Sequence, residues 1–261
     1  MSMSIEDYLA QGGVLTSPAN VPPRYRGELL RIMATFVDSE LAASAGFADM
    51  INAAPGIKER IAASRIVLEK TDHAGRVLAI MSSFGADADR YAVHHHWAER
   101  ASRDAVIGAA RFGTDMRLSV FHYPLQGWVD AVTMNVLMGI ASGIQLQELS
   151  RVSYAPLADV FRDIAPREMA HTALGLEGLT RIRASDAGRA EAGQSAAFWY
   201  PHVAATFGQA ASGRFEILRK LGLRHRMNEV LLAEWQSEVD RTLSKLGVAI
   251  QPPSHRPETA P

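Results

Sequence analysis

In the segment Arg167-Glu168-Met169-Ala170-His171 a carboxylate and an imidazole stand three residues apart. Residues at i and i+3 of a helix share a face, so the pair aims two metal-ligand types in one direction from a rigid support. Helix bundles that hold two metals in their core use Glu-x-x-His pairs on two helices and a single Glu on each of two others. The apolar series Leu157, Phe161, Ile164 runs directly into Glu168 and His171, which turns both inward. A buried His–Glu hydrogen bond that only shapes the core would leave the same signature.

Two further segments bring matching chemistry. Glu40 continues the stripe Met33, Phe36, Val37 at helical spacing. A carboxylate on an apolar face is costly unless it is paired or bound to a metal. The stripe Ile66, His73, Val77, Ile80, Phe84 turns His73 inward as well. Three residues before His73 stands Lys70, and four before it stands Glu69, roughly forty degrees to the other side of His73. Either Glu69 and His73 act together at i,i+4 spacing, or Lys70 enters the core and its ammonium replaces a metal in neutralising Glu40 and Glu168. The position of Lys70 is the one a ligand would take, which favours the lysine.

The elements that must position these groups are helices. Residues 1 to about 24 read as an irregular arm with Gly12-Gly13, Pro18, Pro22 and Pro23. A first helix is expected from about Gly27 to Ala53, and a second from beyond Pro55-Gly56 to about Phe84, with Gly85 as its stop. Residues 86 to 124 read as a long connection over one end of a bundle. A third helix, apolar almost all round, runs from about Trp128 to Val152, and a fourth from about Pro156 to Arg183. Pro166 should kink or restart the fourth. Two or three more helices cover about 188 to 246, and the Pro-rich tail from Gln251 to Pro261 reads as disordered. The expectation is an all-α chain: one helical domain over 25–250, a four-helix bundle core with additional C-terminal helices.

Composition narrows the chemistry. The chain has 261 residues, a formal net charge of −1 and no cysteine. The charge gives no reason to expect nucleic acid or an anionic membrane as partner. Without thiolates any metal is held by nitrogen and oxygen, which suits iron or manganese. No secretory signal is visible at the N-terminus, and the apolar run around Val129 to Ile144 contains Asp130 and Asn135, as a core helix would. A cytoplasmic protein is expected.

Taken together, these residues resemble the catalytic subunit of the phenylacetyl-CoA epoxidase family, a ferritin-like di-iron oxygenase of aromatic degradation. The likeness runs from about Gly27 to Pro253. Its markers are Asp38-Ser39-Glu40, Ala54-Pro55, Asp72-His73-Ala74-Gly75, Phe121-His122-Tyr123-Pro124, Trp128, Ser153-Tyr154-Ala155-Pro156, Glu168-x-x-His171, Trp199-Tyr200-Pro201 and Leu246-Gly247-Val248. The resemblance implies a ferritin-like bundle in which Glu40, His73, Glu168 and His171 match metal ligands. Lys70 falls where the family has a ligand Glu, and Gly139 where it has a carboxylate on the third helix. Asn135, one turn earlier, offers only a neutral amide, and Glu148 should face the opposite side.

Two roles follow from the resemblance. One is an oxygenase with an altered site of Glu40, Glu69, His73, Glu168 and His171, holding one or two iron ions or manganese. It would oxidise an aromatic or acyl-CoA-type small molecule with electrons from a separate reductase. The other is a metal-free structural or substrate-positioning paralogue in which Lys70 supplies the metal's charge. Either would assemble as a homo- or hetero-oligomer with related ferritin-like subunits. The His94-His95-His96 run, the basic clusters Arg219-Lys220 and Arg224-His225-Arg226, and Trp128, Trp199 and Tyr200 read as solvated or packing groups.

Overall fold

A computed structural model describes residues 3–93, 96–108 and 113–250. Among the described residues it contains nine α-helices and no strand, the closest approach to one being a single bridge between Leu15 and Tyr154. The helices are α1 (Ile5–Ala10), α2 (Pro23–Met50), α3 (Ile57–Ser83), α4 (Ala88–Val93), α5 (Trp128–Leu149), α6 (Ala155–Ile182), α7 (Asp186–Ala204), α8 (Gly213–Lys220) and α9 (Asn228–Leu246).

Local chemistry sets these limits. Pro23 opens α2 at a position where its missing N–H is not needed. Gly85, at φ +91°, closes α3 in a conformation other residues resist. Ser185 caps α7 by accepting the Gly188 N–H at 3.1 Å. α2 begins four residues earlier than its apolar pattern suggests, because Tyr25, buried, extends the stripe one turn before Leu29. α6 runs through Pro166 without restarting.

The N-terminal stretch is more regular than its Gly and Pro content implies. It carries α1 and a short 3-10 turn at Pro18–Asn20. It is also tied down: the Leu15 N–H donates to the Ser153 carbonyl at 2.9 Å, and the Ala155 N–H donates to the Leu15 carbonyl at 2.8 Å. The expected disordered tail from Gln251 lies outside the described residues.

α2 packs chiefly on α3, and α5 on α6; α3 against α6 joins the two pairs into a four-helix core. α7 and α9 cover the far side of α5. That double burial explains the nearly uniform apolarity of α5. It is the one helix among the described residues long and apolar enough to cross a membrane, and most of it is buried inside the protein. One core cluster centres on Trp199 and Trp235, the other on Tyr25, Tyr154 and Phe161.

α5 and α6 approach unusually closely. A Cβ built on Gly139 of α5 would overlap Thr172 of α6, lying 3.1 Å from its Cβ and in still closer contact with its hydroxyl. A Cβ on Gly175 would lie 2.6 Å from Asn135 Nδ2. Glycines alternate across this seam so that two backbones can meet.

Candidate functional site

Among the described residues six carboxylates are buried: Asp38, Glu40, Asp115, Asp130, Glu148 and Glu168. Four have evident structural partners. Asp38 accepts from Tyr91 Oη (2.8 Å), Trp97 Nε1 (3.0 Å) and the Met116 N–H (2.7 Å). Asp115 is gripped by Arg117. Asp130 accepts two bonds from Arg103, at 2.7 and 3.1 Å, and others from Ser195 and Trp199. Glu148 accepts the N–H groups of His225 (2.9 Å) and Arg226 (3.0 Å) and Arg226 Nε (2.9 Å). The remaining two, Glu40 and Glu168, meet at the centre of the bundle.

Between them lies Lys70. Its Nζ donates to Glu40 Oε1 at 3.0 Å and lies 3.0 Å from both oxygens of Glu168. His73 Nδ1 is 3.2 Å from Glu40 Oε2 and 3.1 Å from Glu168 Oε1. His171 Nδ1 is 3.2 Å from Glu168 Oε1, while its Nε2 is 2.6 Å from Glu69 Oε2. The two imidazoles are stacked, with ring centroids 5.9 Å apart. Sequence periodicity accounts for this convergence: Ile66, Lys70, His73, Val77 and Met81 form the buried stripe of α3, so Lys70 is an interior residue of that stripe.

Opposite charges offset one another within the cluster. Burial alone would drive the Lys70 ammonium down, but the charges of Glu168 and then Glu40 reverse this and hold it above its ordinary range. Burial pushes Glu168 up; the Lys70 charge, with hydrogen bonds from His171 and His73, carries it well below the usual carboxylate range. His73 is raised by its bonds to Glu168 and Glu40 in spite of burial. Its Nε2 is buried and has no hydrogen-bond partner among the described residues.

Of the sequence-based candidates, Glu40, His73 and Glu168 each place a ligand atom within 4.8 Å of the others. His171 joins them through Glu168 and His73, and Glu69 stands at the half-exposed outer edge, bonded to His171. Asn135 donates to the His171 carbonyl at 3.0 Å and points no group at the carboxylates. Gly139 leaves no room for an acid, since Thr172 occupies the space. Glu148 is held on the other side of α5 by the chain at 225–226. His94 and His95 lie outside the described residues, and His96 is exposed.

These residues do not fit a two-metal centre. Such a centre takes four carboxylates and two histidines around its ions. Here only Glu40 and Glu168 face the interior together, and an ammonium stands between them.

A cavity of about 380 Å³ adjoins the cluster, with Glu40 and Glu168 among its walls. Sequence reasoning did not reveal it. Its lining comes from α2, α5, α6, the segment near Phe121 and residues 206–228, too scattered along the chain to leave a local pattern.

The helical core, with acidic and imidazole side chains converging at mid-bundle, defines an all-α bundle protein of the ferritin-like class. The chain belongs to the phenylacetic acid catabolic protein family, whose model matches residues 13–258 and which comprises the ferritin-like phenylacetyl-CoA epoxidase subunits. No individually curated protein matches it.

Proposed function

We propose that this chain is a metal-free subunit of the phenylacetyl-CoA epoxidase family, a structural or substrate-positioning partner of related ferritin-like subunits. The observation that carries this reading is the Lys70 ammonium, 3.0 Å from Glu40 and from both oxygens of Glu168. A cation already at hydrogen-bonding distance from both carboxylates competes with any divalent ion for them. The absence of an acid at Gly139 and the outward place of Glu69 remove further ligands from the interior. In this reading Glu40, His73, Glu168 and His171 persist, with Lys70, as a network of charges and hydrogen bonds that fixes α2, α3 and α6 relative to one another. The hetero-oligomeric assembly it implies rests on membership of the family.

One observation favours the second reading, an oxygenase with an altered site. His73 Nε2 is a buried nitrogen without a partner among the described residues, and the Nδ1 of the same ring stands 3.2 and 3.1 Å from two carboxylates. If Lys70 withdrew, Glu40, His73 and Glu168 would offer three ligands for iron or manganese, with Glu69 and His171 beside them. An aromatic or acyl-CoA-type substrate and a separate reductase would then be required.

Metal analysis of the protein purified from iron- and manganese-supplemented medium separates the two. The first reading expects a well-folded protein without stoichiometric metal. One or two equivalents of iron or manganese would overturn it in favour of the second.

A further inference from the structure

The cavity beside the core has walls of Phe36, Phe121, Met138, Leu146, Phe215 and Leu223, and a volume of about 380 Å³, within the roughly 300–1,000 Å³ typical of small-molecule sites. Its polar groups are unevenly distributed. Glu40 and Glu168, both buried, lie at the core end. Arg31, Arg214 and Arg224, exposed or half-buried, lie toward solvent. The cavity therefore has a carboxylate end, where one ammonium faces two acids, and a guanidinium end.

The arginines differ in what they meet. Arg214 is paired with Glu28. Arg224 donates to two neutral amides, Gln145 Oε1 at 2.7 Å and Asn228 Oδ1 at 3.2 Å, and has no carboxylate within 4.0 Å among the described residues. Glu148, the acid in its neighbourhood, is taken by Arg226 and two backbone N–H groups. Gln145 and Asn228 line the same cavity, so their grip keeps the guanidinium at its wall. A partly desolvated guanidinium held by neutral acceptors retains its full charge for an incoming anion.

We infer that this cavity binds an organic anion, its apolar body among Phe36, Phe121, Met138 and Leu146 and its anionic group, carboxylate or phosphate, at Arg224. The acids at the core end fix the orientation, since an anion placed there would face Glu40 and Glu168. Binding needs no metal and no displacement of Lys70, so the site stands apart from the metal content of the core.

Isothermal titration calorimetry on the full chain tests this with four probes of one chain length: decanoate, decyl phosphate, decanol and decylamine, each below its aggregation concentration. Decanoate or decyl phosphate should bind saturably at one per chain, and decanol and decylamine about tenfold more weakly or worse, the scale of one lost charge-assisted hydrogen bond. The tighter of the two anions identifies the natural head group. Arg224→Gln should bring the anions down to the level of decanol, and Ser142→Phe, which fills the cavity from α5, should abolish all binding. The wild-type series decides even if a variant fails to fold. No saturable anion binding, equal affinity for the four probes, or undiminished binding in folded Ser142→Phe would each overturn the inference.

Discussion

Lys70 Nζ is equidistant, at 3.0 Å, from the two carboxylate oxygens of Glu168, and 3.0 Å from Glu40 on the neighbouring helix. A single ammonium thus joins α2, α3 and α6 at the level where bundles of this class place metals. Removing one member of a buried charge network leaves the others uncompensated, at a cost of about 3–5 kcal/mol. Lys70→Met is expected to lose stability of that order in urea denaturation at neutral pH. Added Mn²⁺ should restore part of the loss, because Glu40, His73 and Glu168 then lack a cation, and should leave the wild type unchanged. A loss below about 1 kcal/mol, the scale of an exposed pair, would show that Lys70 neutralises nothing essential.

The same network dictates an acid dependence. Burial pushes Glu168 up, but the Lys70 charge and the hydrogen bonds from His171 and His73 together outweigh it and hold the carboxyl well below its ordinary 4.5. A carboxyl depressed in the folded state stabilises the fold above its unfolded pKa, and that stability disappears as pH falls through the folded value. The difference in melting temperature between wild type and Glu168→Gln should therefore be constant from about pH 7 to 5 and close steadily below about 4.5. A gap that stays constant down to pH 3 would mean that the carboxylate charge contributes nothing.

Much of this was legible in the sequence, for reasons that individual residues make clear. Helical periodicity turns Glu40, His73, Glu168 and His171 inward, and α2, α3 and α6 carry them on their buried faces. Lys70 is harder to read because it shares its helix turn with Glu69, and periodicity alone cannot rank two neighbours that lie roughly sixty and forty degrees to opposite sides of His73. The structure places Lys70 between the two acids and Glu69 on the far nitrogen of His171. What the sequence does not carry is the spacing between helices. The α5–α6 seam depends on which glycine meets which side chain across it, and the cavity on five separate segments meeting.

That seam gives a third expectation. Gly139→Ala would gain about 1 kcal/mol of helix propensity on an exposed helix. Here the new methyl meets Thr172, whose hydroxyl is fixed by donating to the Glu168 carbonyl at 3.0 Å. Overpacking of this kind costs about 1–3 kcal/mol, so the sign should be destabilising. Thr172→Ala should relieve most of the cost in the double variant, giving a coupling above about 0.5 kcal/mol in a double-mutant cycle. Additive effects would show that the α5–α6 approach is looser than described. Gly139→Glu should be worse than Gly139→Ala, which bears on any attempt to rebuild a metal site by restoring an acid there.

The residues Asp38, Ser39 and Glu40 divide three tasks over one turn of α2. Glu40 enters the core, Ser39 Oγ accepts the Leu118 N–H at 3.0 Å, and Asp38 accepts from Tyr91, Trp97 and the Met116 N–H. Asp38 and Ser39 therefore attach the long connection between α4 and α5 to the bundle, beside the wall of the cavity at Leu118 and Phe121. Asp38→Ala leaves three donors without their acceptor, a loss of about 1–3 kcal/mol for each that stays buried and unsatisfied, reduced where water reaches them. Hydrogen exchange should then accelerate over residues 113–122 while α5 and α6 keep their protection. The Glu40–Lys70–Glu168 contacts should survive, since none passes through Asp38. Faster exchange throughout the bundle would instead place Asp38 within the charge network of the core, not on its attachment to the connection.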